Sequence, residues 1–287
     1  MRSWTAMPYT LKAGLVLFAI VLLAVTLAGT LSPYDPVEQE PMNRLKPPST
    51  AHLLGTDAFG RDILSRLLHG GRATLTASIS ALLVAMAIGC SVGMIAGMYG
   101  GIVETILMRL VDTLMAFPFI VLAIIVTALF GTGFFHLLLT IVSVWWVPFA
   151  RLARSIALNS KNDVDVSAAK ILGASTMTII RREIFPRVVG QAVVLGTFEL
   201  GSLIISISAL SFFGLGSKPP APEWGSMLAD SKAYFFRAPH MLLGPTLCIF
   251  LTVLALNLIG EGMRDRFDPF EIPVLPENRS QDGRQRP

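Results

Sequence analysis

Of 287 residues, 53% are hydrophobic and only 15% charged, against about a quarter charged in soluble domains. The net charge of +4 does not point to nucleic acid, because the basic residues cluster beside long uncharged runs, where membrane topology accounts for them. Cys90 and Cys248 both lie inside apolar segments, far apart in sequence, and carry no disulfide or redox signal. The decisive feature is how charge is distributed. Ala13 to Tyr34, Ala73 to Val103 and Thr113 to Ala150 contain no Asp, Glu, Lys or Arg. A helix needs about 20 apolar residues to cross the hydrocarbon, so each run is long enough to span it.

In chain order, the first predicted span covers about Leu11 to Leu31. It follows Arg2 and Lys12, but it is longer than the apolar region of a secretory signal and has no Ala-x-Ala cleavage site after it. It is therefore expected to stay as an anchor. The segment Ser32 to Arg72 is rich in proline, then amphipathic from about Asp57 to Leu68. Further spans are predicted over Ala73 to Met98 and over Val103 to Phe130, the latter interrupted at Pro118. Arg109 and Asp112 in that span are i, i+3 and are expected to pair. Gly131, Thr132 and Gly133 break the stretch, and a fourth span follows over Phe134 to Leu152.

The loop from Arg151 to Arg187 is predicted to hold two helices. Val164 to Leu172 ends at Gly173, a residue suited to a left-handed cap, and Thr176 to Phe185 stops at Pro186. A fifth span covers Val188 to Leu215 and a sixth Met241 to Gly260. Between them, Ser217 to His240 contains Trp224, which is expected at headgroup level. The tail beyond Phe267, with Pro269, Pro273 and Pro276, reads as disordered. Three regions result: 1–72 as anchor and outer segment, 73–262 as membrane core, and 263–287 as tail. Fifteen of the 23 Lys and Arg fall on one side if the N-terminus is cytoplasmic, so both termini are expected there.

Candidate functional residues fall in two places. The short helix with small residues Ala168 and Ala169 suits close docking into a partner's cleft, although an ordinary loop reads similarly. Within span five, Glu199 is an ionisable group near mid-membrane, with Ser202 and Ser206 at i+3 and i+7. That stripe could line a translocation path or glue helices together; residue type alone does not separate the two. His52, His69, His136 and His240 lack metal-ligand spacing, so packing or solvent exposure is expected for each and no metal site is predicted. The scattered methionines read as packing residues.

The order Ala168-Ala169, Gly173 and Pro186 resembles the "EAA" loop of binding-protein-dependent ABC importer permeases, with Ser167 where that family usually has Glu. Leu54 to Asp62 resembles the L-G-T-D-x-x-G-R-D signature of the peptide/nickel permease family. Met108 to Pro118, Leu210 to Gly216 with Pro222 to Gly225, and Asn257 to Pro269 resemble its further motifs in the same order. The resemblance implies an all-α integral membrane protein with six transmembrane helices and the type I ABC importer permease fold. It implies a multi-pass bacterial inner-membrane subunit that works with a second homologous permease, two ATPase subunits and an extracytoplasmic binding protein. It also implies that the loop couples to the ATPases. Glu199 followed by Gly201, and Ile207 where peptide-type members usually carry Glu, resemble the nickel-type branch. The expected substrate is therefore nickel or a metal chelate, with di- or oligopeptides as the alternative.

Other classes fit less well. No H-E-x-x-H or G-x-S-x-G motif marks an enzyme, and Gly216-Ser217-Lys218 lacks the spacing of a phosphate-binding loop. No cofactor is expected on this chain, and ATP with Mg would be used by the separate ATPase subunits. A self-sufficient secondary transporter would also accommodate six spans and one buried acid, but such carriers often show inverted repeats, and none is visible.

Overall fold

The computed structural model describes residues 7–131, 133–216 and 219–267, and it is helical throughout. Arg2, Thr132, Lys218 and the tail beyond Phe267 lie outside the described residues. Helix α1 is Tyr9–Thr26 and α2 a single turn, Ala28–Leu31. Then come α3 (Ile63–Tyr99), α4 (Gly101–Ala116), α5 (Phe119–Phe130), α6 (Phe134–Trp145) and α7 (Val147–Ser160). Short helices α8 (Val164–Ile171) and α9 (Thr176–Ile179) lead into α10 (Phe185–Phe212), and α11 (Trp224–Ser231) precedes α12 (His240–Phe267). Among the described residues, five helical stretches are long and apolar enough to cross a membrane, and the bent pair α4–α5 makes six.

Several boundaries depart from the sequence expectation, each for a local reason. Helix α3 begins at Ile63, well before Ala73, because Asp62 caps it: its Oδ2 accepts from Ser65 N and Ser65 Oγ, both at 2.8 Å. Half of the amphipathic stretch of the outer segment, from Ile63 on, is thus the first turns of span two. The third span breaks as expected, and α4 and α5 meet at 89°. Phe117 takes an extended conformation there, as a residue before proline should. Span four continues to Ser160 rather than ending near Leu152.

Pro186 does not stop the second loop helix. A π-turn over Ile180–Ile184 joins α9 to α10, so Thr176 to Phe212 forms one continuous rod. The π-turn shifts the hydrogen-bond ladder just before Pro186, which falls in the first turn of α10, where its missing N–H costs little.

Small residues set the closest helix contacts. Gly89, Gly93 and Gly97 of α3 face Ala150, Ala153 and Ala157 of α7, and a Cβ added at Gly93 would lie 2.2 Å from the Ala150 carbonyl oxygen. Without water to drive helices together in lipid, such close packing is the main source of association. Helix α1 packs on α12, with Gly14 against Ala255 and Ile259, and Gly262 against Leu11. The described chain ends therefore share the end of the bundle at which α7 hands over to α8.

At the other end, residues 32–62 and 219–239 fold into a cap. Asp57 is its hub, accepting from Phe59 N (2.8 Å), Arg61 N (3.0 Å) and Arg61 Nε (2.6 Å), with Arg66 Nε at 3.5 Å. Arg61 reaches on to Asp230 at 3.3 Å. Gly60 holds φ +76°, and a Cβ there would fall 1.9 Å from the Glu40 carbonyl oxygen, so only glycine fits. Trp224 is 1% exposed and donates its indole N–H to Leu67 O at 2.9 Å. It is a core residue rather than a headgroup anchor, because the cap folds over it.

Candidate functional site

The loop between spans four and five is built from its caps. Gly173 ends α8 in the left-handed conformation, φ +80°. Ala174 N donates to Ala169 O and Gly173 N to Lys170 O, both at 3.0 Å, which is the Schellman arrangement. An added Cβ at Gly173 would meet no atom within 4 Å, so the need for glycine is conformational, not steric. Ser175 then caps α9 by accepting from Thr178 N at 3.3 Å.

Helix α8 is held by one face and open on the other. Val166 is buried in the main core and Ala169 packs against it, whereas Ala168 is exposed. Val164, Ile171 and Leu172 are 82%, 86% and 86% exposed. Together they make an exposed apolar patch of the kind that marks interaction sites. From α10, Arg187 Nη1 donates to Ser160 Oγ at 3.1 Å and to Asp163, and Nη2 lies 3.4 Å from Asp165 Oδ2. Sequence reading missed this cluster. Its signal was a basic residue just after Pro186 with two acids at the start of α8, but nothing local says that they meet. Beside it, a cleft of about 470 Å³ opens between α7 and α10, lined by Ser155, Asn159, Arg187 and Gln191 among others.

The second candidate group lies further up α10. Glu199 and Ser206 are half-buried and Ser202 is exposed, donating to Phe198 O at 3.3 Å. The indole N–H of Trp145 is directed toward Glu199 without reaching hydrogen-bond geometry, and it has no other partner among the described residues. The two groups are separate: twelve residues from Arg187 to Glu199 span about 18 Å at a helical rise.

Asp112 pairs with Arg151 of α7 at 2.7 Å, not with Arg109 as expected. Arg154 likewise holds Glu104, with Nε at 2.8 Å from Oε1. Both bonds tie α4 to α7, because α7 extends past Leu152 and brings its arginines alongside α4. His52 is packed rather than exposed: it is buried with its ring centroid 4.7 Å from that of Tyr34 and Nδ1 3.0 Å from Asp62 Oδ1. His240 Nε2 meets Thr56 O at 3.3 Å. Both belong to the cap, and among the described residues no group of three His, Cys, Asp or Glu is placed to hold a metal ion.

Glu223 joins the cap to α10. Its Oε1 accepts from Gly225 N at 3.0 Å, while Oε2 and the buried hydroxyls of Ser208 and Ser211 have no partner among the described residues. Burial pushes the Glu223 carboxyl above the ordinary glutamate range, against the pull of the Gly225 and Ser226 amides. Burial also raises the Asp230 carboxyl, opposed by Arg61 and Arg66.

A family model described as "Binding-protein-dependent transport system inner membrane component" matches residues 89–271, which takes in the loop between spans four and five, the Glu199 stripe and the motifs at the end of α10 and the start of α11. The chain belongs to this family. As a permease it is a multi-pass protein of the bacterial inner membrane and not an enzyme, and ATP hydrolysis is done by separate subunits. The permease is 45% identical over 256 residues to the glutathione transport system permease protein GsiD of Shigella flexneri serotype 5b (strain 8401), covering 88% of this chain and 84% of that protein. It is 44% identical over 256 residues to the protein of the same name from Pectobacterium atrosepticum, covering 88% and 85%. A chain of the MetNI methionine ABC transporter, solved in inward-facing conformations, superposes with a TM-score of 0.53 at 19% identity, covering 70% of this chain and 95% of that one. The fold is that of a type I ABC importer permease, as the motifs implied.

Proposed function

We propose that this permease carries a small peptide, of the glutathione class, inward across the inner membrane. The observation that carries the substrate reading is 45% identity, over 88% of the chain, to a glutathione transport permease. Nickel or a metal chelate, the first expectation, gives way to the peptide alternative. The pattern that suggested nickel rests on a few positions, Glu199 with Gly201, Ile207 and Ser167 in place of the loop Glu, whereas the likeness to glutathione permeases runs through most of the chain.

Helix α8, with Ala168 and Ala169 at its centre and Gly173 and Pro186 setting its exit, docks an ATPase subunit through Val164, Ile171 and Leu172. The exposed apolar face of α8 supports this reading. The permease pairs with a second homologous permease over two ATPases that use ATP and Mg, and it receives substrate from an extracytoplasmic binding protein. Both termini face the cytoplasm with α8, in keeping with the Lys and Arg count. Glu199, Ser202 and Ser206 line the path, and this chain holds no cofactor or metal of its own.

The test is competition for uptake in the assembled complex. Labelled glutathione should enter in an ATP-dependent way, unlabelled dipeptides should compete, and nickel should not. Uptake blocked by nickel and indifferent to peptides would restore the metal reading.

A further inference from the structure

We infer that Arg187 is a positioning residue that makes α8 and span five move as one body. The inference rests on the docking reading above and adds to it the part that carries the motion.

At its C-terminal end, α8 is joined to the rod Thr176–Phe212 through the Schellman turn at Gly173 and the Ser175 cap, a connection of four residues, 172–175. Residues 161–163 link its other end to α7 and Val166 packs in the core, but neither ties the start of α8 to the rod, and Gly173, whose surroundings are open, would let that start swing relative to span five. Arg187 supplies the second attachment, at the opposite end of α8. Its guanidinium reaches from the first turn of α10 to Asp163, the residue before α8, and to Asp165 within its first turn. The same group donates to Ser160, the last residue of α7, at 3.1 Å. One side chain thus fastens the end of span four, the start of α8 and the start of span five. The planar fork of arginine suits this three-way role, and a lysine point charge does not.

Two further features fit. Pro186 fixes the backbone just before Arg187 at the first turn of α10, so the guanidinium departs from a rigid base. From Arg187, helix α10 runs unbroken past Glu199 and Ser202, and the π-turn over Ile180–Ile184 lies before Arg187, so a displacement passed through Arg187 enters the helix beyond that turn. Arg187, Asp163 and Asp165 are all partly exposed, and ion pairs in that setting add little to stability. Loss of the staple should therefore uncouple rather than unfold.

The experiment uses the complete complex with ATPases, second permease and binding protein. In a background lacking Cys90 and Cys248, spin labels at Lys170→Cys on α8, exposed and outside the docking residues, and Val193→Cys on α10 report the distance between the two elements. The expected result is one narrow distribution, identical without nucleotide and with ATP bound. In Arg187→Gln the distribution should broaden and shift with ATP, and uptake per ATP hydrolysed should fall at least fivefold while the ATPases still co-purify. Arg187→Lys should fall between, and pairing Arg187→Asp with Asp163→Arg should restore the narrow distribution. A wild-type distance that changes between nucleotide states would overturn the inference without need of any variant, and so would a narrow distribution in Arg187→Gln. Leu172→Asp is the control for docking itself. Its failure to release the ATPases would sink the docking reading, whatever the distances show.

Discussion

At the residue scale, single side chains separate conformation, transport and pH response. Gly173→Val places a β-branched residue at φ +80°, where a left-handed backbone costs about 1–2 kcal/mol or more. Insertion into the membrane should be unaffected, because no span is touched, and uptake should fall roughly tenfold; normal uptake at normal membrane yield would contradict this. Glu199→Gln keeps shape and hydrogen bonding but removes charge, so a path role predicts a several-fold drop in uptake with intact assembly. If Glu199 only joins helices, Gln should substitute well and Glu199→Ala should instead lower yield and melting temperature together. For Glu223 the sign follows from burial, which raises its folded value above the unfolded one. The native state then holds a proton that the unfolded chain has lost, so this contribution is full below the ordinary glutamate value and fades as pH rises through the raised one. The melting temperature of wild type relative to Glu223→Gln should therefore decline across that window, and a constant difference would refute the assignment.

At the element scale, the α3–α7 contact is the most demanding in the fold. Gly93→Val must push two backbones apart, since the new Cβ would lie 2.2 Å from a carbonyl oxygen, and should cost about 3 kcal/mol or more. Gly190→Ala in α10, where a Cβ meets nothing within 4 Å, should instead stabilise by about 0.5–1 kcal/mol. Thermal melts of the two purified variants read both signs. The spans themselves were legible in the sequence because lipid imposes length and apolarity on each one. Gly173 was legible as a cap because its chemistry is local. Trp224 was misread as a headgroup anchor because its partner, the Leu67 carbonyl, lies more than 150 residues away in sequence. The continuity of α9 with α10 was hidden for a different reason: proline breaks most helices, and nothing local announces a π-turn before it. Asp112 was assigned to Arg109 because i, i+3 spacing is visible, whereas its actual partner Arg151 comes from another helix.

At the scale of the whole molecule, one chain supplies one exposed α8, while the bundle leaves much apolar surface on α4 and α5 open, Ile106 and Leu129 among it. Such a surface belongs against lipid or a second permease, and Ser202, exposed beside half-buried Glu199 and Ser206, is likewise left uncovered by one chain. The central claim, that this chain is one part of an ATP-driven importer and not a carrier in its own right, is tested most directly by omission. Proteoliposomes would hold this permease, its partner permease, the ATPase subunits and the binding protein, with labelled glutathione outside and ATP inside. The account predicts uptake with all components present, and its loss when ATP, the partner permease or the ATPases are left out. Uptake by this chain alone, driven by an ion gradient without ATP, would contradict it.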